Sequence, residues 1–177
     1  MPTITGDPMR TRLLDATSVL LARYGPRKLS LSAIASVAGV SRPTLYRHFS
    51  SKKDLLVALA GHEKARFEFK LAEVLDGLTG VNRLDRALRF MVEFQNDYPM
   101  QGLVLIEPGF ILDQLEQSLR TMAPTLASLF SASGLRGTAS PDDRANLVVR
   151  IALSHFLVRG EDAQLLRQLR HVAGIDA

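Results

Sequence analysis

Apolar residues recur at spacings of three and four along almost the whole chain, and serine, glycine and proline punctuate the runs. From Arg10 to Tyr24, Leu13, Leu14, Ala16, Leu20 and Leu21 share one helix face. Gly25-Pro26 is expected to end that helix, glycine by taking a left-handed conformation and proline by lacking the amide that continuation needs. Ser30 is placed to cap a short helix containing Ile34, Ala35 and Ala38, which Gly39 closes. Ser41 is placed to cap the next, with Pro43 in the first turn, where an amide hydrogen would have no partner. Ser51 opens a longer amphipathic helix through Leu55, Leu56 and Leu59 to about Leu75, broken by Gly77 and Gly80.

The remainder repeats the pattern. Leu84, Ala87, Leu88, Met91, Phe94 and Tyr98 form one face, and Pro99 ends the run. Leu112, Leu115, Leu119, Met122, Leu126 and Leu129 form another, with Pro124 as an expected kink or break. Over 141–158, Ala145, Val148, Val149, Ala152 and Phe156 make one side, and Leu147 and Ile151 the opposite side. A helix apolar on two sides is usually buried twice. Leu165, Leu169 and Val172 lie on a last helix over 161–172, whose positive end carries Glu161 and Asp162. No internal repeat, low-complexity tract or run of strands is visible. The predicted fold is all-α.

Composition narrows the function classes. The 177 residues suffice for one large domain or two small ones, and 46% hydrophobic with 23% charged residues is ordinary for a globular chain. No apolar run reaches the roughly 18 residues of a membrane span. The start MPTITGDPMRTR lacks the apolar core and cleavage site of a secretory signal, so a cytoplasmic location is expected. With no cysteine, disulfides, thiolate zinc sites and cysteine nucleophiles are excluded. The net charge of +4 is unevenly spread. Residues 1–70 hold 12 Lys and Arg against 5 Asp and Glu, whereas residues 71–177 hold 10 against 13. A basic first part suits either a polyanion or plain solvation.

The first 50 residues decide between those two. A helix-turn-helix needs a small side chain where its short helices cross, supplied by Ala35, and a residue tolerant of positive φ four positions later, supplied by Gly39. Six positions further on, Leu45 returns an apolar side chain to the core. The segment SRPTLYRHF then buries Leu45 and Phe49 and turns Arg42, Thr44, Tyr46, Arg47 and His48 outward. Arginine can grip guanine bidentately, threonine can use its hydroxyl or methyl, and tyrosine and histidine can reach phosphate. Lys52 and Lys53 fall in the first turn of the following helix, where the dipole disfavours cations; a phosphate on the same amides would account for both. Tyr46 can also be read as a core aromatic, Arg27 and Lys28 as solvated, and Arg10 and Arg12 as either a minor-groove arm or a flexible basic start.

The stretch LLDATSVLLARYGPRKLSLSAIASVAGVSRPTLYRHFSSKKDLLVAL resembles the DNA-binding region of the tetracycline-repressor (TetR) family. The specific parts are Ile34-Ala35, Ala38-Gly39-Val40-Ser41, Thr44-Leu45-Tyr46, His48-Phe49, and Ser51-Lys52 with Leu55. Leu21 departs from a commoner phenylalanine, Thr17 from alanine and Pro26 from an aromatic, all of them first-helix packing positions. The resemblance implies a helix-turn-helix DNA-binding domain over 1–50, then a linking helix and an effector-binding and dimerisation domain over 51–177. It aligns Tyr46, His48 and Lys52 with phosphate contacts and Arg42, Pro43 and Thr44 with base contacts; Ser30, Ser41 and Arg47 complete the candidate DNA-binding set. The implied partners are a near-palindromic double-stranded operator, a second copy of the chain and a small-molecule effector that releases the repressor from DNA.

No catalytic motif is found in the rest of the chain. HEKAR at 62–66 lacks the second histidine of a zinc-protease helix, and there is no Glu-x-x-His, Gly-rich phosphate loop or Gly-x-Ser-x-Gly. No enzyme activity, cofactor or metal is expected. Phe90, Phe94, Tyr98, Phe110 and Met122, with Phe67 and Phe130, either line an effector cavity or simply fill a core. Arg89, Glu93 and Asp97 are the charges placed to turn inward. The helices at 141–158 and 161–172 are the candidate dimer helices, paired across a two-fold axis into a four-helix bundle. His155 reads as a satisfied core or interface residue. The alternative is a helical binding or scaffolding module with a vestigial helix-turn-helix.

Overall fold

Four serines start helices by the same device, each hydroxyl accepting the amide three residues ahead. Ser30 accepts from Ala33 at 3.2 Å, Ser41 from Thr44 at 3.2 Å, Ser51 from Asp54 at 3.1 Å and Ser140 from Asp143 at 3.1 Å. At the other end, Gly39 (φ 64°) and Gly174 (φ 65°) take the left-handed conformation that closes a helix.

The computed structural model describes residues 7–24, 28–96, 98, 101–105 and 107–175. The helices are α1 (Pro8–Tyr24), α2 (Leu31–Ala38), α3 (Arg42–His48), α4 (Lys52–Val74), α5 (Gly80–Asn96), α6 (Pro108–Ser133), α7 (Pro141–Leu157) and α8 (Asp162–Ala173), with a 3₁₀ turn at Gln101–Leu105. Among the described residues there is no strand, as the periodicity predicts. Two differences are informative. Pro124 does not break α6, which runs through it on an exposed side where water can take the carbonyl the proline leaves unbonded. The 3₁₀ turn is not predicted, because five residues give no period to read. The expected stops at Gly25-Pro26 and Pro99 lie outside the described residues, as do Arg27 and Asp97.

Packing divides the chain into two units, Met1–Arg66 with Tyr98–Glu107, and Phe67–Asp97 with Pro108–Ala177. In the first, Leu13, Ile34, Leu45, Phe49, Leu55 and Leu59 are fully buried. Thr17, at a position where an aliphatic side chain would pack, is buried with its hydroxyl donating to the Leu13 carbonyl at 2.7 Å. A polar seam joins α1 to α4. The buried Glu63 carboxylate accepts from Ser18 Oγ at 3.0 Å and from Arg66 Nε at 2.9 Å, which meets the requirement that a buried charge be paired. Burial, with the Glu63 charge adding to it, pushes the Tyr98 hydroxyl pKa far up, so Tyr98 stays protonated.

The second unit is built on one apolar cluster: Leu84, Leu88, Met91 and Val92 of α5, Leu126 and Phe130 of α6, Val148 and Val149 of α7, and Leu165 and Leu169 of α8. Ala123, Ala127, Ala145 and Ala152 between them let the helices approach closely. Two long-range ionic contacts brace it. The buried Arg144 guanidinium lies 4.6 Å over the Phe130 ring and donates to the carbonyls of Leu135, Val172 and Ala173, the last two at the end of α8. Arg170 grips Asp85 with two bonds, at 2.6 and 2.8 Å, and Arg89 adds a third at 2.9 Å.

Arg144→Met is expected to destabilise the second unit by about 2–4 kcal/mol in urea unfolding, because three carbonyls lose a charged donor inside the fold. The Arg170 hydrogen bond holds the Asp85 carboxyl below the usual aspartate range, with Arg89 assisting against the cost of burial. The stability this pair lends is fully present above about pH 4 and is lost as pH falls through the depressed Asp85 pKa. Asp85→Asn is expected to cost about 1–2 kcal/mol at neutral pH and to flatten that acid dependence.

Candidate nucleic-acid interface

The turn between α2 and α3 follows from two hydrogen bonds. With Gly39 left-handed, its amide donates to the Ser36 carbonyl at 3.1 Å and the Val40 amide to Ala35 at 2.9 Å. The chain reverses within three residues and Ser41 caps α3. Ala35 is buried, as a close crossing requires. Leu45 and Phe49 anchor α3 with no exposure, so the opposite side of the helix must face outward.

That side carries the predicted set. Arg42, Pro43, Tyr46 and Arg47 are exposed, Tyr46 at 48%, which disposes of its reading as a core aromatic. Thr44 is half-buried and its Oγ1 lies 2.8 Å from Ser41 Oγ, so the cap also orients the threonine. Ser30 and Ser41 are exposed but committed as caps. His48 is less open than expected, because its Nδ1 meets Asp7 Oδ2 at 3.0 Å. Lys53 is exposed, while Lys52 Nζ lies 3.2 Å from Glu107 Oε1.

Three side chains that sequence reasoning misplaced or missed shape this surface. Arg10 is not part of a basic arm. It sits within α1, donates to the His48 carbonyl at 3.1 Å and lies 4.5 Å over the Phe49 ring, fixing the end of α3. Arg12 also belongs to α1. Asp54 accepts from the Ser50 amide at 2.9 Å while its own amide donates to Ser51, a reciprocal cap that answers part of the dipole beneath Lys52 and Lys53. The spacing of Ser51 and Asp54 is the signal that could have revealed it.

The predicted effector residues are divided. Phe67, Phe90 and Phe94 form a triad with ring centroids 5.0–5.6 Å apart, packed on one another. Phe110 and Met122 are half-buried in the same unit, Met122 against the main cluster, whereas Tyr98 packs in the first unit. Arg89 and Glu93 do not turn inward; both are exposed and paired, with Asp85 and Arg86 respectively. An open depression of about 510 Å³ lies elsewhere, on α7 and α8, lined by Ile151, His155, Val158, Gln164, Leu165 and His171 among others. His155 is structurally engaged there, its Nδ1 accepting from the Gly160 amide at 3.4 Å and its Nε2 3.6 Å from Asp162.

Comparison with known proteins agrees with this geometry. Residues 13–59 match the model of the bacterial regulatory proteins of the tetR family. The chain is 27% identical over 154 residues to the HTH-type transcriptional regulator UidR of Escherichia coli K12, covering 82% of this chain and 76% of that protein. It is 38% identical over 99 residues to the HTH-type transcriptional repressor KstR of Mycobacterium tuberculosis, covering 55% of this chain and 43% of that one. The fold is similar to that of a transcriptional regulator from Cytophaga hutchinsonii, with a TM-score of 0.75 at 19% identity over 96% of each chain.

Gly39→Ala tests the turn. It forces a side chain onto a left-handed residue and brings its Cβ to 2.9 Å from the Arg12 guanidinium end. A loss of about 1–2 kcal/mol is expected in thermal or urea unfolding.

Proposed function

We propose that the chain is a member of the TetR family of bacterial regulatory proteins, a homodimeric repressor that an effector releases from a near-palindromic operator; the match of residues 13–59 to the family model and the likeness to UidR support the reading. The observation that carries the reading is α3 itself. A short helix is pinned by fully buried Leu45 and Phe49, capped by Ser41, and presents Arg42, Tyr46 and Arg47 outward with no acidic residue in its length. Arg42 and Pro43, at the amino end, are the base readers with Thr44; Tyr46, Arg47, His48 and Lys52 hold the phosphates, and the serines at 30 and 41 complete the contact surface. In this reading residues 1–50 are the DNA-binding domain and 51–177 the linking helix, effector and dimerisation domain. The site of action is the cytoplasm, no reaction is catalysed, and no described helix is long and apolar enough to cross a membrane.

Two recognition helices must stand about 34–36 Å apart to enter successive major grooves. Support for a dimer through α7 and α8 comes from exposed apolar side chains there, Leu147, Leu157 and Val158, the last at 78%, beside the open depression. The effector reading is kept to Phe90, Phe94, Phe110 and Met122, the members of its set within the second unit. Because the rings of the triad pack on each other, a ligand entering there has to part them. An effector acts only through a preference for the conformation that does not bind DNA.

Operator selected from a random duplex pool provides the test. Arg42→Ala and Tyr46→Ala are expected to melt like the parent protein yet to lose about 1–3 kcal/mol of operator affinity each. Arg42→Ala relaxes the choice of base, whereas Tyr46→Ala weakens all sequences alike. Both variants binding as the parent does at matched salt would overturn the assignment of α3.

A further inference from the structure

Lys52 is the first residue of α4, and a cation in that position is opposed by the helix dipole unless an anion joins it. In this structure the anion is the chain's own. Glu107 Oε1 lies 3.2 Å from Lys52 Nζ, and the two side chains are 40% and 37% exposed. A pair that open to water contributes little to stability and exchanges readily. Glu107 is nevertheless firmly placed. Its amide donates to the Leu103 carbonyl at 2.8 Å, and Leu103 is fully buried, so the backbone delivers the carboxylate to the lysine. Asp7, the carboxylate on His48, has a second task, since its other oxygen accepts from the Met9 amide at 3.0 Å at the start of α1. Glu107 immediately precedes α6, where a side chain can cap free amides, yet its Oε1 is turned to Lys52.

We propose that Glu107 is an intramolecular stand-in for a DNA phosphate: it occupies Lys52 in the DNA-free protein and is displaced when the backbone of DNA arrives. The inference rests on the reading of Lys52 as a phosphate contact. Each phosphate neutralised by a protein cation releases condensed counterions and steepens the salt dependence of binding. A lysine already neutralised by its own chain contributes less than a full contact, and the displaced carboxylate remains near the phosphate as a like charge. Glu107 thus lowers affinity for all sequences equally, with no effect on which bases are read.

The test uses the full chain and a labelled duplex of random sequence, where backbone contacts dominate, titrated between about 50 and 200 mM salt. Glu107→Gln is expected to bind roughly 3- to 10-fold tighter at the lowest salt, and to steepen the slope of log affinity against log salt by up to about 0.9. Lys52→Gln is expected to weaken binding and flatten the slope. In the double variant the gain from Glu107→Gln is expected to vanish, since the two residues act as one unit. If Lys52→Gln weakens binding but Glu107→Gln changes neither affinity nor slope, the stand-in is overturned while the phosphate reading of Lys52 survives. A gain that persists without Lys52 also overturns it, because Glu107 then acts as a general charge. If Lys52→Gln alters neither quantity, the phosphate reading falls and the proposal with it. A purely structural pair would move melting temperature and leave the salt slope untouched.

Discussion

The left-handed backbone at Gly39 is the constraint on which the reading surface depends. One positive φ lets the Gly39 and Val40 amides close α2 on the Ser36 and Ala35 carbonyls and reverses the chain in three residues. Only then do Ser41 reach the start of α3 and Leu45 and Phe49 reach the core. The exposure of Arg42, Tyr46 and Arg47 is a consequence: with one side of a seven-residue helix fixed by two buried side chains, the other side has no alternative but solvent or a partner. The turn therefore fixes the placement of chemistry that lies several residues away.

What was legible in the sequence was whatever local chemistry determines. The caps at Ser30, Ser41 and Ser51, the stop at Gly39, the spacing of Leu45 and Phe49 and the all-helical pattern each depend on a few adjacent residues and stand where the sequence puts them. What local chemistry does not determine is contact between distant positions. Arg10 meets His48 across 38 positions, Lys52 meets Glu107 across 55, Arg144 meets Ala173 across 29 and Arg170 meets Asp85 across 85. No periodicity encodes such pairs. Likewise Arg89 and Glu93 look available to a cavity until Asp85 and Arg86 claim them at the surface. Asp54 is the intermediate case, a reciprocal cap local enough to be encoded in the spacing of Ser51 and Asp54.

The same pairs refine the charge imbalance between the two parts of the chain. In the second unit three carboxylates are committed to arginines of that unit, Asp85 to Arg170 and Arg89, Glu93 to Arg86, and Glu116 to Arg120. In the first unit, α3 carries Arg42 and Arg47 with no carboxylate in its own sequence, and Lys53 is exposed next to it. The exposed cations Arg42, Arg47 and Lys53 thus gather at one short helix and the first turn of the next.

A reader of DNA built this way has separable controls. On the proposed reading, base choice resides in the side chains at the amino end of α3, whose orientation is fixed by Ser41 and, through the far end of the helix, by Arg10 on the His48 carbonyl and the Phe49 ring. On the same reading, backbone affinity resides in cations whose charge carboxylates of the same chain can partly cancel. Sequence preference depends on differences between sites, so a uniform loss of backbone attraction leaves it intact while reducing occupancy of the many non-specific sites. A repressor released by an effector, as proposed, gains from weak non-specific hold as much as from strong operator contacts. Neutralising one lysine internally is a more conservative way to reach that balance than deleting it, because the ammonium stays in position for the phosphate.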